Sequence, residues 1–379
     1  MSEFVNLVLD LGERHGFEAA AHAKSLLAGA GFATEIRDGA DDRTLAWIDD
    51  AFGGTWSSEA YASSNVIVTR EGAPVAFASF DVKSPSFAWL RGEAGRPGTG
   101  IFGPFGVDPQ HRGGTVGPAT MTLALYELHC KGYVRALIAA VGSERLIRYY
   151  ERTTGATIAE RFDPLAHISK PVRTIILASG SGTNAQAVID AAAAGLPLDV
   201  RAVLSNNVDA GALERSRRAG IPVGCVAWDR TSESRAQYDE RLLAAVRAYD
   251  PQLVLLLGWM HLLDAEFVDA FAALLNIHPA FLPHDPARDD VGMPDGAVIP
   301  AFRGARAVRD ALAAGSPWVG ASFHAVTMQT DRGTVIARRP LRANQAEEES
   351  QVLERLHPIE HQVVTTGLRR WLYERRESE

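Results

Sequence analysis

The stretch VRTIILASGSGTNAQAVIDAAAA, residues 172–194, decides how this chain folds. An apolar strand, Val172–Leu177, runs into the turn SGSGTN, and a helix, Asn184–Ala194, follows at once. Short apolar strands that alternate with amphipathic helices are typical of a doubly wound, mostly parallel α/β sheet. The same alternation predicts further strands at Val200–Leu204, Pro222–Val226, Leu253–Leu257, Trp318–Val326 and Val335–Arg339, and helices at Ala210–Ala219, Arg235–Ala248 and from about Glu347.

The turn itself predicts an anion site. Glycines let the backbone approach an anion, and the free N–H groups at the start of a helix attract it. With Ala185 the string also matches a dinucleotide-binding pattern, which requires an acidic residue at the end of the second strand. Ser205-Asn206-Asn207 stands there instead. A single phosphate monoester is therefore favoured over NAD, and a tight turn without a ligand remains the alternative.

A second constellation follows the strand Leu253–Leu257. Asn276 and His278 lie in an apolar run, and His324 and Asp331 come about fifty residues later. A buried polar group without a partner costs about 1–3 kcal/mol, so these side chains need partners or a function. A set of satisfied core side chains is the simpler alternative. An amide, an imidazole and a carboxylate at strand ends can instead hold a carbonyl oxygen and move a proton.

Composition limits the class of protein. The 379 residues carry a formal net charge of −8, which argues against a nucleic-acid binder. Cys130 and Cys225 lie in different halves, so neither a disulfide framework nor a metal site is indicated. No apolar run reaches the length of a membrane span and residues 1–10 lack a basic leader, so we expect a cytoplasmic protein that does not act at membranes.

The chain is expected to form two domains, residues 1–165 and 171–379. The segment between them has prolines at 164 and 171, and a fresh apolar strand begins just after it. In the first domain the patterns predict helices at Phe17–Leu27, from Asp42, and at Pro118–Lys131, with strands at Phe32–Ile36, Asn65–Arg70, Ala73–Val82 and Val134–Val141.

Residues 172–375 resemble the glycinamide ribonucleotide formyltransferases of purine biosynthesis. The motifs that match are SGSGTN at 179–184, SNN at 205–207, DPQLV at 250–254, GWM at 258–260, NIHP at 276–279, SFH at 322–324, DRG at 331–333 and EH at 360–361. The resemblance implies a Rossmann-like formyltransferase domain. It also implies transfer of a formyl group from 10-formyltetrahydrofolate, the co-substrate, to the primary amine of a phosphorylated glycinamide riboside.

The same resemblance assigns roles to individual residues. Asn276, His278 and Asp331 would be catalytic, with a protonated His278 beside the oxyanion and Asp331 orienting a water that relays the proton. His324 would support them through a hydrogen bond. The substrate would be bound by Gly180, Ser181, Gly182, Thr183, Asn184 and Arg235 at its phosphate and by Glu360 at its ribose. The folate pocket would be lined by Trp259, Met260, His261, Leu262 and Leu263.

The chain departs from the family pattern at three places. Ala280 replaces a serine, and His261 replaces an arginine that faces folate. An insert of some seventeen residues around 284–299 adds Asp285, Asp289, Asp290 and Asp295 beside the expected amine site. These differences put the identity of the amine in question, and a harmless surface loop is an equal alternative for the insert.

Residues 40–162 resemble the GNAT acyltransferases, whose fold is a mixed α+β domain. The matching turn is Arg112, Gly113, Gly114, Thr115, Val116 and Gly117, which opens a helix, with Tyr150 in the next helix. The resemblance implies that the turn binds the pyrophosphate of acetyl-CoA and that Tyr150 protonates the departing thiolate. The family has glycine where Thr115 stands. Since a β-branched residue resists a positive φ, we expect weakened acetyl-CoA binding. An inert module and a working acetyltransferase are equal alternatives.

The leading hypothesis is therefore a formyltransferase acting on glycinamide ribonucleotide. A second hypothesis is formylation of another small amine in specialised metabolism, with the first domain acetylating a related compound. A third is a binding or sensor protein without turnover, which the intact set of Asn276, His278 and Asp331 argues against. The sequence leaves the oligomeric state open.

Overall fold

The computed structural model describes residues 3–82, 90, 93–344 and 346–375. These residues form two compact units. The first comprises the described parts of Met1–His167, Gly292–Ala297 and Leu372–Glu379, and the second comprises Ile168–Val291 and Val298–Trp371. Within the described residues, no helix has both the length and the apolar character that crossing a membrane requires.

The first unit is a mixed sheet with helices. Its strands are β1 (Phe4–Asp10), β2 (Ala33–Asp38), β3 (Ser64–Arg70), β4 (Ala73–Phe80), β5 (Thr99–Val107), β6 (Arg135–Val141) and β7 (Thr157–Phe162). Its helices are α1 (Phe17–Gly29), α2 (Asp42–Phe52), α3 (Trp56–Ala62), α4 (Val116–Cys130) and α5 (Glu144–Thr154).

The sheet of this unit has the order β2-β3-β4-β5-β6-β1-β7. Strands β5 and β6 run parallel, and the other neighbouring pairs run antiparallel. The register between β5 and β6 extends from Thr99 to Phe102 on β5. The pairing of β5 with β4 continues further along β5, to Val107, which lies just before the turn that opens α4.

The second half of the chain contains the predicted α/β alternation. Its strands are β8 (Val172–Leu177), β9 (Leu198–Ser205), β10 (Val223–Cys225), β11 (Leu253–Leu257), β12 (Leu274–His278), β13 (Asp290–Gly292), β14 (Val298–Pro300), β15 (Trp318–Ala325) and β16 (Val335–Arg342). Its helices are α6 (Thr183–Ala193), α7 (Gly211–Arg218), α8 (Arg235–Arg247), α9 (Ala265–Ala270), α10 (Ala307–Ala313) and α11 (Glu349–Glu374).

The sheet of the second unit has the order β10-β9-β8-β11-β12-β15-β16. It is parallel from β10 to β12 and antiparallel from β12 to β16, so the mostly parallel sheet is confirmed. Strand β11 is buried along its whole length, as a central parallel strand must be. The chain order reverses between β8 and β11, and in such sheets ligands bind at the carboxyl ends of the strands beside this reversal.

The insert forms a hairpin. Strands β13 and β14 pair as a separate two-stranded sheet. Val291, Met293 and Ile299 are buried. The loop alternative for the insert therefore does not describe it.

Candidate active site

The glycine turn joins β8 to α6 at the carboxyl edge of the sheet. Gly182 has φ +74°, and a Cβ placed on it would lie 2.3 Å from the Cα of Ala212 in α7. Gly180 has open space around its Cα. Ser179 Oγ accepts a hydrogen bond of 3.1 Å from the backbone N–H of Met260, which follows β11. The turn is therefore fixed on one side by α7 and on the other by the predicted folate segment.

A cation that sequence reasoning missed lies at this turn. The Nε of Arg215, in α7, donates to the carbonyl oxygen of Ser181 at 2.9 Å. Burial lowers the pKa of His361 in α11, and the positive charges of His357 and Arg215 lower it further. Arg215, His357 and His361 thus share one electrostatic environment beside the turn. In the sequence, only Gly211 could have indicated that α7 reaches the turn, because a Cβ at that position would lie 2.9 Å from the carbonyl oxygen of Ser181.

Asn184 and Glu360, two of the predicted substrate-binding residues, lie in contact. Asn184 Nδ2 donates to Glu360 Oε2 at 3.2 Å, and both residues are buried. Burial raises the pKa of Glu360 to about 7, with the Asn184 bond opposing the rise. The Oδ1 atom of Asn184 is buried and has no hydrogen-bond partner, so a ligand donor could complete it.

Arg235 lies at the folate segment. Its Nε donates to both carboxylate oxygens of Asp239, at 2.8 and 2.7 Å, and its Nη2 donates to the carbonyl oxygen of Leu262. Its guanidinium also lies 5.2 Å from the ring centroid of Trp228 and 5.5 Å from that of Tyr238. These contacts place Arg235 beside the segment expected to line the folate pocket, whereas Arg215 contacts the glycine turn.

The predicted folate segment follows β11. Met260 and Leu262 are 56% and 71% exposed, which leaves apolar surface for a ligand to cover. Leu263 packs against the core, and Trp259 is buried with its Nε1 unpartnered. His261 Nδ1 lies 3.1 Å from the hydroxyl of Tyr238. Burial lowers the pKa of His261, and Arg235 and Arg230 lower it further, so this ring does not supply the charge of the arginine it replaces.

The strand pair β12–β15 brings the catalytic candidates together. Asn276 lies opposite His324 and His278 opposite Ser322 in the antiparallel register. His324 Nδ1 lies 2.7 Å from the carbonyl oxygen of Ala325, so Nδ1 carries a hydrogen. Its Nε2 lies 3.5 Å from a carboxylate oxygen of Asp331 and 3.1 Å from Asn276 Nδ2. This contact orients the Asn276 amide and leaves its second N–H for a ligand.

Asp331 completes the set. Its carboxylate oxygens lie 3.6 Å from His278 Nδ1 and 3.5 Å from His324 Nε2, and Oδ2 accepts a 2.7 Å bond from the N–H of Gly304. Burial would raise the pKa of Asp331, but the two histidines and the Gly304 N–H together outweigh it and lower that pKa. The carboxylate therefore stays ionised near neutral pH.

His278 is buried between the carboxylate of Asp331 and the carbonyl of Phe302. Burial lowers its pKa, with Asp331 and the carbonyl of Phe302 opposing the fall. Its Nε2 lies 2.9 Å from the Phe302 oxygen, which requires a hydrogen on Nε2. Nδ1 faces the Asp331 carboxylate at 3.6 Å, which would stabilise a proton taken up there.

The four aspartates of the insert are all engaged. Asp285 and Asp295 each accept a backbone N–H two residues on, from Ala287 and Ala297. Asp290 pairs with Arg288, and Asp289 pairs with Arg303 and Arg332. The charges of Asp289 and Asp290 are thus paired with arginines.

The turn at residues 112–117 has a different backbone geometry from the one expected at Thr115. Thr115 has φ −76°, an ordinary right-handed value, and the positive φ falls on Gly113 at +81°. The backbone strain expected at Thr115 is therefore absent. Gly113 and Gly114 have open space around them, and Arg112 Nε donates to the Val107 carbonyl at 2.9 Å.

The tyrosines near this turn have different environments. Tyr150 is buried, and burial raises its pKa. A Cβ placed on Gly117, in the first turn of α4, would lie 3.1 Å from the hydroxyl of Tyr149. Val116 is buried in the core beneath them. Tyr149 is therefore the tyrosine whose hydroxyl contacts the start of α4.

The comparisons with known proteins concern the second half. A family model described as formyl transferase matches residues 172–286 and 295–368, and the gap between them lies in the insert. The phosphoribosylglycinamide formyltransferase of Escherichia coli K12 is 35% identical over 191 residues, which are 50% of this chain and 82% of the relative. That of Mycobacterium tuberculosis H37Rv is 32% identical over 201 residues, 53% of this chain and 85% of the relative.

Among solved structures, glycinamide ribonucleotide transformylase 1 from Symbiobacterium toebii aligns with a TM-score of 0.47 and 32% identity, over 56% of this chain and 92% of that one. The family is shown by the Escherichia coli relative, most of whose length is covered at this identity. The chain therefore belongs to the formyl transferase family.

Proposed function

We propose that the second half transfers a formyl group from 10-formyltetrahydrofolate to the primary amine of glycinamide ribonucleotide. The observation that carries the proposal is the grouping of Asn276, His278 and Asp331, with Asp331 within 3.6 Å of the His278 ring. The relatives named for this reaction support it, since the chain covers 82% of the Escherichia coli protein.

The chemistry follows from these three side chains. The amine attacks the formyl carbon, and the carbonyl oxygen becomes an oxyanion that the free N–H of Asn276 stabilises. The amine gives up a proton, which His278 takes at Nδ1 beside the ionised Asp331. The C–N10 bond then breaks, and His278 returns the proton to N10 of tetrahydrofolate. A preorganised oxyanion donor contributes a factor of about 10²–10³ in rate. A positioned proton acceptor and donor contributes a factor of about 10²–10⁴.

The glycine turn supports a phosphorylated acceptor. Its open Gly180, the N-terminus of α6 and Arg215 together offer N–H donors and positive charge to a phosphate. The ribose would lie against the buried Glu360, whose acceptor oxygens suit hydroxyl groups. The folate would lie across Trp259, Met260 and Leu262.

The test is loss of 10-formyltetrahydrofolate that depends on glycinamide ribonucleotide. We expect turnover by the full chain and a fall of about 10²–10⁴ in kcat for Asp331→Asn, because that change removes the charge that stabilises a protonated His278. Turnover with another amine and none with glycinamide ribonucleotide would favour the alternative of formylation in specialised metabolism. Folate binding without turnover of any amine would favour a sensor.

For the first unit we propose an acyl-CoA site at the start of α4. The supporting observation is the open glycine pair, Gly113 and Gly114, in the turn that precedes α4. Such N–H groups suit a pyrophosphate. Tyr149, whose hydroxyl lies by Gly117, is better placed than Tyr150 to act as the acid.

Calorimetry with acetyl-CoA tests this second proposal. We expect saturable binding that Thr115→Gly does not strengthen, because Thr115 already has an ordinary backbone conformation. The absence of binding, or a gain on Thr115→Gly, would favour the inert module.

A further inference from the structure

Three consecutive residues hold the pair His278 and Asp331. The carbonyl oxygen of Phe302 lies 2.9 Å from His278 Nε2. Arg303 Nε donates to the backbone oxygen of Asp331 at 3.2 Å, and the N–H of Gly304 donates to its carboxylate at 2.7 Å. The separation of the imidazole and the carboxylate therefore depends on where residues 302–304 lie.

The insert holds this tripeptide through one carboxylate. Asp289 Oδ1 accepts a 3.0 Å bond from Arg303 Nη1 and another bond from Arg332 Nη2. Arg332 directly follows Asp331, so one carboxylate joins the residue after Asp331 to the residue before Gly304. Two backbone carbonyls of the insert hold the same arginines. The carbonyl of Arg288 accepts a hydrogen bond from Arg303, and the carbonyl of Pro286 accepts one from Arg332, each at 2.7 Å.

Asp331 needs such support. It has φ +52°, a left-handed value that a residue other than glycine adopts only when its surroundings hold it there. Its neighbours Arg303 and Arg332 carry like charges close together, and these would repel each other without the carboxylate between them. Asp289 supplies that charge.

We propose that Asp289 is a positioning residue for formyl transfer, which fixes Arg303 and Arg332 and through them the geometry of His278 and Asp331. The proposal rests on the function proposed above. It gives the insert a role in the reaction, without contact between Asp289 and either substrate. An exposed ion pair usually contributes little to global stability, so loss of the charge acts on the geometry of the site and leaves the fold intact.

The test compares Asp289→Asn with Asp290→Asn. Asp290 lies next in the same insert, is exposed and pairs with Arg288, so it is a matched change of charge. We expect Asp289→Asn to lower kcat by about 10- to 100-fold, because small misplacements of reacting groups have effects of that size. The KM values and the thermal midpoint should stay close to those of the unmodified protein, and Asp290→Asn should stay within about twofold in kcat. A kcat for Asp289→Asn within that same range overturns the proposal.

A second readout does not need turnover. The imidazole Cε1–H signal of His278, identified by its loss in His278→Gln, is titrated by NMR in the same variants. The charged and polar groups that face this ring are Asp331, His324, Arg303 and the Phe302 carbonyl. With Asp289 neutralised, Arg303 loses its ion-pair partner in the insert, and we expect the midpoint of His278 to move to lower pH in Asp289→Asn alone. An unmoved midpoint overturns the positioning role, whichever amine is the acceptor.

Discussion

Glu360 is a carboxyl group whose burial couples proton binding to stability. Its pKa is raised to about 7 in the folded state, from 4.5 when exposed. The folded state then binds the proton more tightly than the unfolded state, so stability falls as pH rises from about 4.5 to 7. The full loss corresponds to about 3 kcal/mol.

We therefore predict that Glu360→Gln stabilises the second unit at pH 8 and has a much smaller effect at pH 4.5, since glutamine removes the cost of a buried charge. Urea unfolding at several pH values measures the difference, which should widen toward about 3 kcal/mol at pH 8. Glu354→Gln, an exposed position in the same helix, is the control. If the free energy of unfolding depended on pH in the same way in the unmodified protein, Glu360→Gln and Glu354→Gln, the raised pKa of Glu360 would be contradicted.

Arg215 and Arg217 allow a matched test of the phosphate subsite. Both are in α7, but Arg215 contacts the glycine turn, whereas Arg217 is 54% exposed and pairs with Glu214. We predict that Arg215→Ala raises the KM for glycinamide ribonucleotide by about 10- to 100-fold with little change in kcat, because it removes binding common to ground and transition states. Steady-state kinetics on Arg217→Ala should match the unmodified protein. A similar KM for both variants would place the phosphate elsewhere.

At the level of single residues, the sequence identified groups but not their surroundings. Asn276, His278 and Asp331 could be selected because polar residues at strand ends stand out from apolar runs. Arg215 could not be selected, and Asp289 could not be distinguished from the other aspartates of the insert, because their importance comes from a partner outside the local pattern, Ser181 in one case and Arg303 in the other. The backbone strain expected at Thr115 was wrong, since the positive φ lies two residues earlier, at Gly113.

The glycine turn shows how an element can depend on one missing side chain. Gly182 combines a positive φ with a 2.3 Å approach of Ala212, while Gly180 has neither. We predict that Gly182→Ala lowers the free energy of unfolding by about 2 to 4 kcal/mol, since it adds both a steric overlap and backbone strain. Gly180→Ala should change it by less than about 0.5 kcal/mol. Denaturant unfolding checks this, and equal losses would mean that α7 moves to accommodate the methyl group.

The strands of the second unit were predictable because central parallel strands are continuous apolar runs, as in Leu253–Leu257. Strand β1 of the first unit was missed. Asn6 interrupts it, yet Asn6 is fully buried, with Nδ2 donating to Glu160 at 2.6 Å and Oδ1 accepting from the Ala140 N–H at 2.9 Å. The hydrogen-bond partners of the Asn6 amide lie on the two neighbouring strands, β6 and β7. The hydrophobic pattern of residues 4–10 alone cannot show that these partners exist.

On the scale of the molecule, the first unit is discontinuous along the chain. Leu372 belongs to it and is fully buried. His167 Nε2 lies 3.0 Å from the carbonyl oxygen of Leu372, and the ring of Tyr373 contacts that of Phe4 with centroids 6.4 Å apart.

We predict that a chain ending at Trp371 is destabilised in its first unit by about 2–5 kcal/mol, because it lacks the buried leucine. Hydrogen exchange of the β1 and β7 amides measures the loss. A chain ending at Arg375 is the control and should exchange like the full chain. Unchanged exchange in the shorter chain would mean that the last helical turn contributes nothing to this unit.

The discontinuity also has a consequence during synthesis. All seven strands of the first sheet have left the ribosome once residue 162 has emerged, but Leu372 is made about 200 residues later. At bacterial or eukaryotic translation rates this is a delay of roughly 10 to 40 seconds. During that time the nascent first unit lacks its contacts with Leu372 and Tyr373, while the formyl transferase sheet is still being made. A ribosome stalled near residue 371 would therefore hold a chain whose first sheet is complete but whose His167 and Phe4 still lack these partners.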